Sequence, residues 1–262
     1  MGYFCSKKNK PLYQILGGNE AKVPIYASGI NPVDTLKTID RARKEGFDAF
    51  KIKVGFGHDN DIEIIKNVQL AMSANERLMV DANQAWELTE AIDFFTRINK
   101  IPLNWVEEPI QADRPENEWQ KLSGITNIPL AAGENIRGLG VFNKKIKDGN
   151  LGVIQPDICK WGGISANIMV VKGILENGIN YCPHFLGGGI GLIASAHLLA
   201  GSGGDGMLEV DFNQNPLREG LVDPFPKIIK SKITLNNTPG LGVVPDQASI
   251  EQYLVYHTQI KK

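Results

Sequence analysis

The sequence lacks the features that mark secreted, membrane-spanning and disulfide-rich proteins. It has 3 cysteines in 262 residues, Cys5, Cys159 and Cys182, and this odd, widely spaced set without a C-x-x-C pair fits neither a disulfide framework nor a zinc site. No run approaches the roughly 18 uninterrupted apolar residues of a membrane helix, and the N-terminus has no sustained apolar signal segment. We therefore expect a protein of the reducing cytoplasm with no membrane partner.

An excess of one charge sign is also missing. There are 28 Lys and Arg against 29 Asp and Glu, a formal net charge of -1, whereas proteins that bind nucleic acid or anionic membranes usually carry a basic excess or stripe. The hydrophobic content of 42% is enough for a sizeable core. The expected partner is therefore a small molecule and not a nucleic acid.

From about residue 23, short apolar runs alternate with longer amphipathic ones, which is typical of parallel strands joined by crossover helices. Eight strands are predicted, at 22–28, 47–55, 77–83, 103–109, 128–135, 151–159, 180–186 and 206–212. Eight such units close most naturally into a barrel over 23–231, and a doubly wound open sheet is the alternative. The flanking segments, 1–22 and 232–262, do not fit the repeat, and each is predicted to contain a short helix.

Ionisable side chains recur near the carboxyl ends of the predicted strands, about one strand-helix unit apart. They are Lys51, Lys53, Asp81, Glu107, Glu134, Asp157, His184 and Glu209. Charges inside strands that are covered on both faces need a reason, and barrel enzymes build their active sites at this rim. The pattern therefore predicts an active site at the carboxyl ends of the strands.

Asp81, Glu107 and Glu134 belong to three consecutive predicted strands. Three converging carboxylates cannot all stay ionised without a cation, and an all-oxygen set suits Mg²⁺, whereas zinc would require His or Cys ligands. For any one of these acids alone, a salt bridge at the rim is the alternative. For the three together, we predict a magnesium site.

Lys51 and Lys53 are two residues apart and so share one face of their strand. If that face is the barrel interior, crowding by a second ammonium and by the metal lowers the pKa of a lysine, which then becomes a base near neutral pH. An edge strand with both lysines in water is the alternative. His184 lies one strand after Asp157, so a carboxylate could hold one ring nitrogen and leave the other as acid or base. A satisfied core histidine is the alternative there.

A glycine-rich run, Gly187 to Gly191, follows the seventh predicted strand. Such a turn binds phosphate in some barrels, although GGGIG lacks the spacing of the common phosphate fingerprints. A tight turn that brings a substrate close to the backbone explains it equally well. One hypothesis from this run is a Schiff-base aldolase that uses Lys53 and holds a phosphate near these glycines, but the three acids would have no role in it.

Seven short motifs together resemble the enolase superfamily, and in particular its mandelate racemase branch. They are KIK (51–53), VDAN (80–83), VEEP (106–109), GEN (133–135), QPDICKWGG (155–163), CPHF (182–185) and LEVD (208–211). The resemblance covers roughly residues 10 to 250 in order. It implies a TIM-type barrel of the enolase C-terminal domain type, (β/α)7β or (β/α)8.

The resemblance also implies roles for the residues at the carboxyl ends of the strands. Asp81, Glu107 and Glu134 would bind Mg²⁺, Lys53 would be one general base, and Lys51 would steady the substrate carboxylate. Enzymes of this family abstract the proton next to a carboxylate and form an enediolate. The outcome is racemisation of a hydroxy acid or dehydration of a sugar acid, an aldonate or aldarate, to a 2-keto-3-deoxy product.

The remaining implied roles separate the branches of the family. The pair Asp157 and His184 would be the acid/base on the opposite face of the substrate, Glu209 would hydrogen-bond the enediolate, and Asn83 would contact the substrate. The muconate cycloisomerase and dipeptide epimerase branches have a lysine in place of Asp157. Lys160, three residues further on and on the other strand parity, is a poor substitute for that lysine, so the His-Asp branch is favoured.

Family members carry an α+β capping domain ahead of the barrel, and we expect most of it to be missing here. Residues 1–22 would correspond to the helix or linker that follows the cap, and 232–262 to the segment that normally packs on it. Uncovered apolar surface predicts a homo-oligomer. A second hypothesis follows, in which a cap-less barrel turns over little or nothing and serves as a scaffold or needs a partner chain as its lid.

Overall fold

The computed structural model describes residues 8–256 and residue 258, so Cys5 lies outside the described residues. Eight strands alternate with helices, as the sequence pattern predicts. The strands are β1 Lys22–Ile30, β2 Ala49–Lys53, β3 Arg77–Asp81, β4 Val106–Glu107, β5 Leu130–Ala132, β6 Val153–Ile154, β7 Asn180–Tyr181 and β8 Leu208–Asp211. The helices up to β8 are α1 Leu12–Ile15, α2 Thr35–Lys44, α3 His58–Leu70, α4 Leu88–Ile98, α5 Glu116–Ile125, α6 Leu139–Asp148, α7 Gly163–Glu176 and α8 Gly189–Ser202.

The parallel strands are arranged in the order β8-β1-β2-β3-β4-β5-β6-β7, with β8 beside β1. The sheet therefore curls on itself, and the end of β7 meets β8 where the Glu209 N–H donates to the Pro183 carbonyl at 3.5 Å. A doubly wound sheet would reverse its strand order in the middle. The barrel prediction is confirmed and the open-sheet alternative is wrong.

The barrel interior contains an apolar layer to which each strand region contributes one buried side chain. The members are Tyr26, Ala49, Met79, Trp105, Ala131, Val153, Cys182 and Met207. Strand side chains alternate between faces, so the residues two positions further on also face the interior. Those residues lie one layer nearer to the carboxyl ends of the strands, at an end of the barrel that we call the mouth.

The residues at these next positions are mostly polar. This layer of the interior therefore belongs to the candidate site, whereas the layer below it is apolar core. The residues at these positions are Ser28, Lys51, Asp81, Glu107, Gly133, Gln155, His184 and Glu209. The opposite faces of the strands pack against the helices. On β2, for example, Phe50 and Ile52 belong to the large outer core, while Lys51 faces inward. The prediction that Lys51 faces the interior is confirmed, because its exposed fraction is 1%.

After β8 the chain leaves the repeat and covers the barrel with short elements. These are α9 Pro216–Glu219, β9 Val222–Asp223, β10 Lys232–Thr234, β11 Val244–Pro245 and α10 Gln247–Tyr253. β10 pairs antiparallel with β1, and β11 pairs with β9. The short helix expected in each flanking segment is present. The division into segments at residues 22 and 231 stays a prediction.

His197, in the middle of α8, joins both flanking segments to the barrel. Its Nδ1 accepts the Tyr13 backbone N–H at 3.1 Å, and its Nε2 donates to the Leu241 carbonyl at 3.0 Å. Burial lowers the pKa of His197, and only the neutral ring can both accept and donate in this way. Across residues 8–256, no helix has the length and apolar character needed to cross a membrane.

Candidate active site

Lys51 lies at the bottom of the barrel mouth, among three carboxylates. Its Nζ is 2.5 Å from Glu107 Oε2, 2.7 Å from Glu209 Oε1 and 3.9 Å from Asp81 Oδ2. The Ser28 hydroxyl donates to Glu209 Oε1 at 2.5 Å. Burial alone would lower the pKa of Lys51, but Glu107 and Glu209 raise it well above its ordinary value. The lowered pKa that crowding predicts for a lysine is therefore not found at Lys51.

Lys53, the lysine expected to act as a base, lies further out on the same face of β2. Its Nζ is 2.6 Å from both Asp81 Oδ2 and Asn83 Oδ1. The Asn83 backbone lies in the left-handed region at φ 45°, and its N–H returns to Asp81 Oδ1 at 2.9 Å. The turn after β3 therefore brings three predicted site residues into one hydrogen-bonded group.

His184 and Asp157 meet on the other side of the mouth. His184 Nδ1 is 2.8 Å from Asp157 Oδ2, and its Nε2 faces Glu134 Oε2 at 3.1 Å and Glu209 Oε2 at 3.7 Å. Burial opposes protonation of this ring, but the carboxylates, Glu209 first, raise the pKa of His184. Burial likewise opposes ionisation of Asp157, but the hydrogen bond and charge of His184, together with the backbone N–H groups of Cys159 and Lys160, outweigh it and lower the pKa of that carboxyl.

The carboxylates around Lys51 differ in how well their charge is compensated. Burial, joined by the neighbouring charges of Asp81 and Glu209, raises the pKa of Glu107 to about 7 against the attraction of Lys51. Burial also acts on Glu209, but Lys51 and then His184 bring its pKa down to about 2. Glu209 faces His184 and Ser28 in addition to Lys51, whereas over residues 8–256 Glu107 has no second positive neighbour of this kind.

Two residues of this site were not predicted from the sequence. Gln155, fully buried, donates from Nε2 to Glu107 Oε2 at 2.7 Å. Its position two residues after Val153 of the apolar layer is a signal that could have found it. Lys160 places its Nζ in contact with Glu134 Oε2, beside His184 Nε2. Lys160 was expected to be a poor substitute for the lysine that other branches have in place of Asp157, and that expectation stays a prediction. Strand parity does not show where a lysine of a loop reaches.

Glu108 and Asn135, each next to a predicted metal ligand, form a second unpredicted pair. Asn135 Nδ2 donates to Glu108 Oε2 at 2.8 Å, and the Glu108 backbone lies in the left-handed region at φ 39°. Burial, and then the charge of Glu134, raise the pKa of Glu108 to about 8. The pair links the loops after β4 and β5, the same loops that carry Glu107 and Glu134.

The oxygen atoms gathered at this site are of the kind that a hard divalent cation binds. Glu107 Oε1, Glu108 Oε1 and Gln155 Oε1 are buried oxygens without a hydrogen-bond partner among the described residues. Buried acceptors at one place without donors indicate that a cation, a proton or water belongs there. Carboxylate and amide oxygens are the ligands that Mg²⁺ and Ca²⁺ take, and none of these three residues is a His or Cys, the ligands that most zinc sites include.

The predicted metal ligands, however, are arranged as ion pairs with lysine side chains. No three His, Cys, Asp or Glu side chains within the described part of the chain are positioned to hold a metal ion together. Each predicted ligand contacts an ammonium group instead: Asp81 contacts Lys53, Glu107 contacts Lys51, and Glu134 contacts Lys160. The residues therefore fit Mg²⁺ by type and by strand position, and the predicted magnesium site requires these ion pairs to rearrange.

Packing explains the glycine-rich run after β7. Gly189 starts α8, and a Cβ at this position would clash with the Arg218 carbonyl, while one at Gly191 would clash with the Phe185 ring. The close approach of α8 to these groups requires glycine with or without a ligand. A phosphate site at this helix start stays an untested prediction.

A parallel barrel that gathers acids, lysines and a histidine at the carboxyl ends of its strands has the architecture of a barrel enzyme. The chain belongs to the Enolase C-terminal domain-like family, whose model matches residues 34–249. The predicted resemblance to the enolase superfamily is confirmed, and the match is to its mandelate racemase/muconate lactonizing enzyme family.

Three relatives show how far the likeness extends. A mandelate racemase/muconate lactonizing enzyme from Bordetella bronchiseptica RB50 is 42% identical, has a TM-score of 0.92, and is matched over 95% of this chain and 69% of its own. An enolase from Bradyrhizobium, solved with magnesium and mandelic acid, is 28% identical with a TM-score of 0.84, over 97% of this chain and 68% of its own. Arabinonate dehydratase from Saccharolobus solfataricus is 27% identical over 94% of this chain and 68% of its own length.

Proposed function

We propose that the protein abstracts the proton next to the carboxylate of a hydroxy acid, most of all a sugar acid, in a Mg²⁺-dependent reaction through an enediolate. The observation that carries the proposal is the pair of proton-transfer groups on different sides of one carboxylate cluster. Lys53 lies with Asp81 and Asn83 on one side, and His184 lies with Asp157 on the other. The named activities of the dehydratase and racemase relatives support the same type of reaction.

The metal would be held by Asp81, Glu107 and Glu134. When bound, Mg²⁺ supplies positive charge beside the substrate carboxylate, which favours the second negative charge that proton removal creates. That the Bradyrhizobium relative was solved with magnesium supports this assignment. Glu107 Oε1 is buried and has no hydrogen-bond partner among the described residues, so a bound cation would compensate it.

The chain's own residues would divide the proton transfers between them. Lys53, at the outer end of its strand face, would take the proton from one side of the substrate, with Asn83 orienting either the amine or a substrate hydroxyl. His184, oriented by Asp157, would act on the other side. Glu209, buried beneath, would hydrogen-bond an enediolate oxygen, which requires its carboxyl to carry a proton in the complex, and Lys51 would steady the substrate carboxylate.

The same two groups allow either expected outcome. If Lys53 removes the proton and His184 donates one to the opposite side of the same carbon, the product is the racemised acid. If a β-hydroxyl leaves with a proton from that histidine, the product is a 2-keto-3-deoxy acid. We favour dehydration of an aldonate or aldarate. A homo-oligomer in the cytoplasm also stays our expectation.

Solvent isotope exchange tests the proposal. The purified chain is incubated in D₂O and Mg²⁺ with a panel of aldonic, aldaric and 2-hydroxy acids, and α-deuterium and keto acid are followed by NMR. We expect α-deuteration or keto acid from at least one acid, with loss of activity in EDTA. Neither product from any acid, or activity that persists in EDTA, would contradict the proposal, and the first result would favour the scaffold hypothesis.

Variants make the isotope test specific to the two proton-transfer groups. Lys53→Met and His184→Asn should each slow turnover by about 10² to 10⁴, the usual contribution of a general acid or base. Lys172→Met is the control, because Lys172 is an exposed lysine of α7. Borohydride should trap no substrate adduct on Lys53, and an adduct there would favour the aldolase hypothesis over this one.

A further inference from the structure

Lys160 differs from the two other lysines of the site in its access to water. The side chains of Lys51 and Lys53 are 1% and 15% exposed, and that of Lys160 is 35% exposed. Lys160 lies in the loop after β6, where its backbone N–H donates to Asp157 Oδ1 at 3.1 Å. Its ammonium can therefore leave the site and be solvated, whereas that of Lys51 cannot.

Glu134, the partner of Lys160, needs a positive neighbour. Its side chain is 10% exposed, and a carboxylate at that depth is costly without compensation. Lys160 Nζ contacts Glu134 Oε2, the same oxygen that His184 Nε2 approaches at 3.1 Å. The ammonium thus contacts one of the two oxygens that Glu134 could offer to a cation.

We propose that Lys160 is a positioning residue that holds Glu134 as an ion pair before a divalent cation binds, and that the cation displaces it. The inference rests on the proposed function for the role of Glu134 as a metal ligand. Once a cation is bound to Glu134, it repels the Lys160 ammonium. Because that ammonium is partly exposed, its release into water has only a small free-energy cost. Lys160 therefore competes with the cation and weakens its apparent affinity.

Calorimetric titration of Mg²⁺ into the purified chain tests this competition without a substrate. In Lys160→Met, we expect Mg²⁺ to bind about threefold to fivefold more tightly than in the unmodified protein, the worth of a partly exposed ion pair. A residue that only supported the fold would leave the affinity unchanged or weaken it. Unchanged or weaker binding in Lys160→Met would overturn the inference.

Thermal unfolding provides the second readout. Without Mg²⁺, Lys160→Met should melt below the unmodified protein, because Glu134 has lost its partner. At saturating Mg²⁺ the two should melt together, because the cation compensates Glu134 in both. If Lys160 acted only by long-range repulsion of the cation, its loss would not lower the melting temperature without Mg²⁺, and that result would also overturn the inference.

Two comparison variants separate this inference from the proposed function. Lys172→Met, which removes an exposed ammonium from the same loop-helix unit, should leave Mg²⁺ affinity unchanged. Glu134→Gln should weaken Mg²⁺ binding strongly. If the unmodified protein binds no Mg²⁺, or Glu134→Gln binds it equally well, the magnesium site fails and the inference fails with it. Tight binding that depends on Glu134 but not on Lys160 overturns the inference alone.

Discussion

Replacing Lys51 by methionine removes a buried positive charge from among three carboxylates and tests how the site is held together. The Lys51 ammonium is 2.5 Å from Glu107, 2.7 Å from Glu209 and 3.9 Å from Asp81. Removing one partner of such a buried pair leaves uncompensated charge and typically costs about 3–5 kcal/mol of the free energy of unfolding. For a chain of this size, the loss lowers the melting temperature by roughly 6–20 °C.

The pKa of Glu209 gives the same contact a pH dependence. Lys51 and then His184 bring this pKa from its ordinary value of 4.5 down to about 2 against the effect of burial, so the ionised carboxylate contributes to stability. Because the folded pKa lies below the unfolded one, this stability is present above about pH 4.5 and is lost as the pH falls towards 2. In Lys51→Met, most of that acid-dependent part of the stability should disappear.

Urea denaturation without divalent cations measures both effects when it is carried out at pH 7 and repeated as the pH is lowered towards 2. We expect Lys51→Met to lose about 3–5 kcal/mol and the double variant Lys51→Met/Glu209→Gln to recover part of the loss, because one of the stranded carboxylates is then neutral. Lys172→Met, an exposed control, should stay within about 0.5 kcal/mol of the unmodified protein. A loss below about 1 kcal/mol in Lys51→Met would refute this account of the buried charges.

Three further predictions concern residues around the site and the fold. Gln155→Leu should lower the free energy of unfolding by about 1–3 kcal/mol, because Glu107 loses a buried hydrogen-bond donor. Gln155→Glu should lower it further, because it adds a second negative charge beside Glu107. Urea denaturation checks both variants. Burial lowers the pKa of His197, so the contribution of the neutral ring to stability should be complete above about pH 6.5 and decline below it. His197→Gln should remove this pH dependence, which melting temperatures measured across the pH range would show. Gly189→Ala should lower the melting temperature through its clash with backbone, whereas Gly140→Ala, in open space on α6, should raise it slightly.

The sequence predicted the order and number of the barrel strands better than their lengths. Periodicity placed a strand over 128–135, and the structure confines β5 to Leu130–Ala132. Buried residues continue past the last paired residue of β5, since Gly133 and Glu134 are also buried, and burial alone cannot show where pairing ends. Glu134, Asp157 and His184 consequently lie just beyond their strands.

The site was predictable where strand alternation sets the position and not where a loop does. Alternation placed Lys51 and Lys53 on one face, but only the packed barrel shows that Lys51 is buried between carboxylates while Lys53 reaches Asn83. Gln155 also follows strand alternation, two residues after Val153. It was not predicted because the pattern was recognised from ionisable side chains, and an amide is not ionisable. Lys160 obeys no periodicity, since its contact with Glu134 depends on the path of the loop after β6.

The most direct test of the whole account is a crystal structure of the chain grown with Mn²⁺, with the ion located by its anomalous scattering. We expect one site per chain, with oxygens of Asp81, Glu107 and Glu134 within about 2.3 Å of the ion and the Lys160 ammonium displaced from Glu134. A map without an anomalous peak at the barrel mouth, or with the three carboxylates still paired to lysines at saturating Mn²⁺, would contradict it.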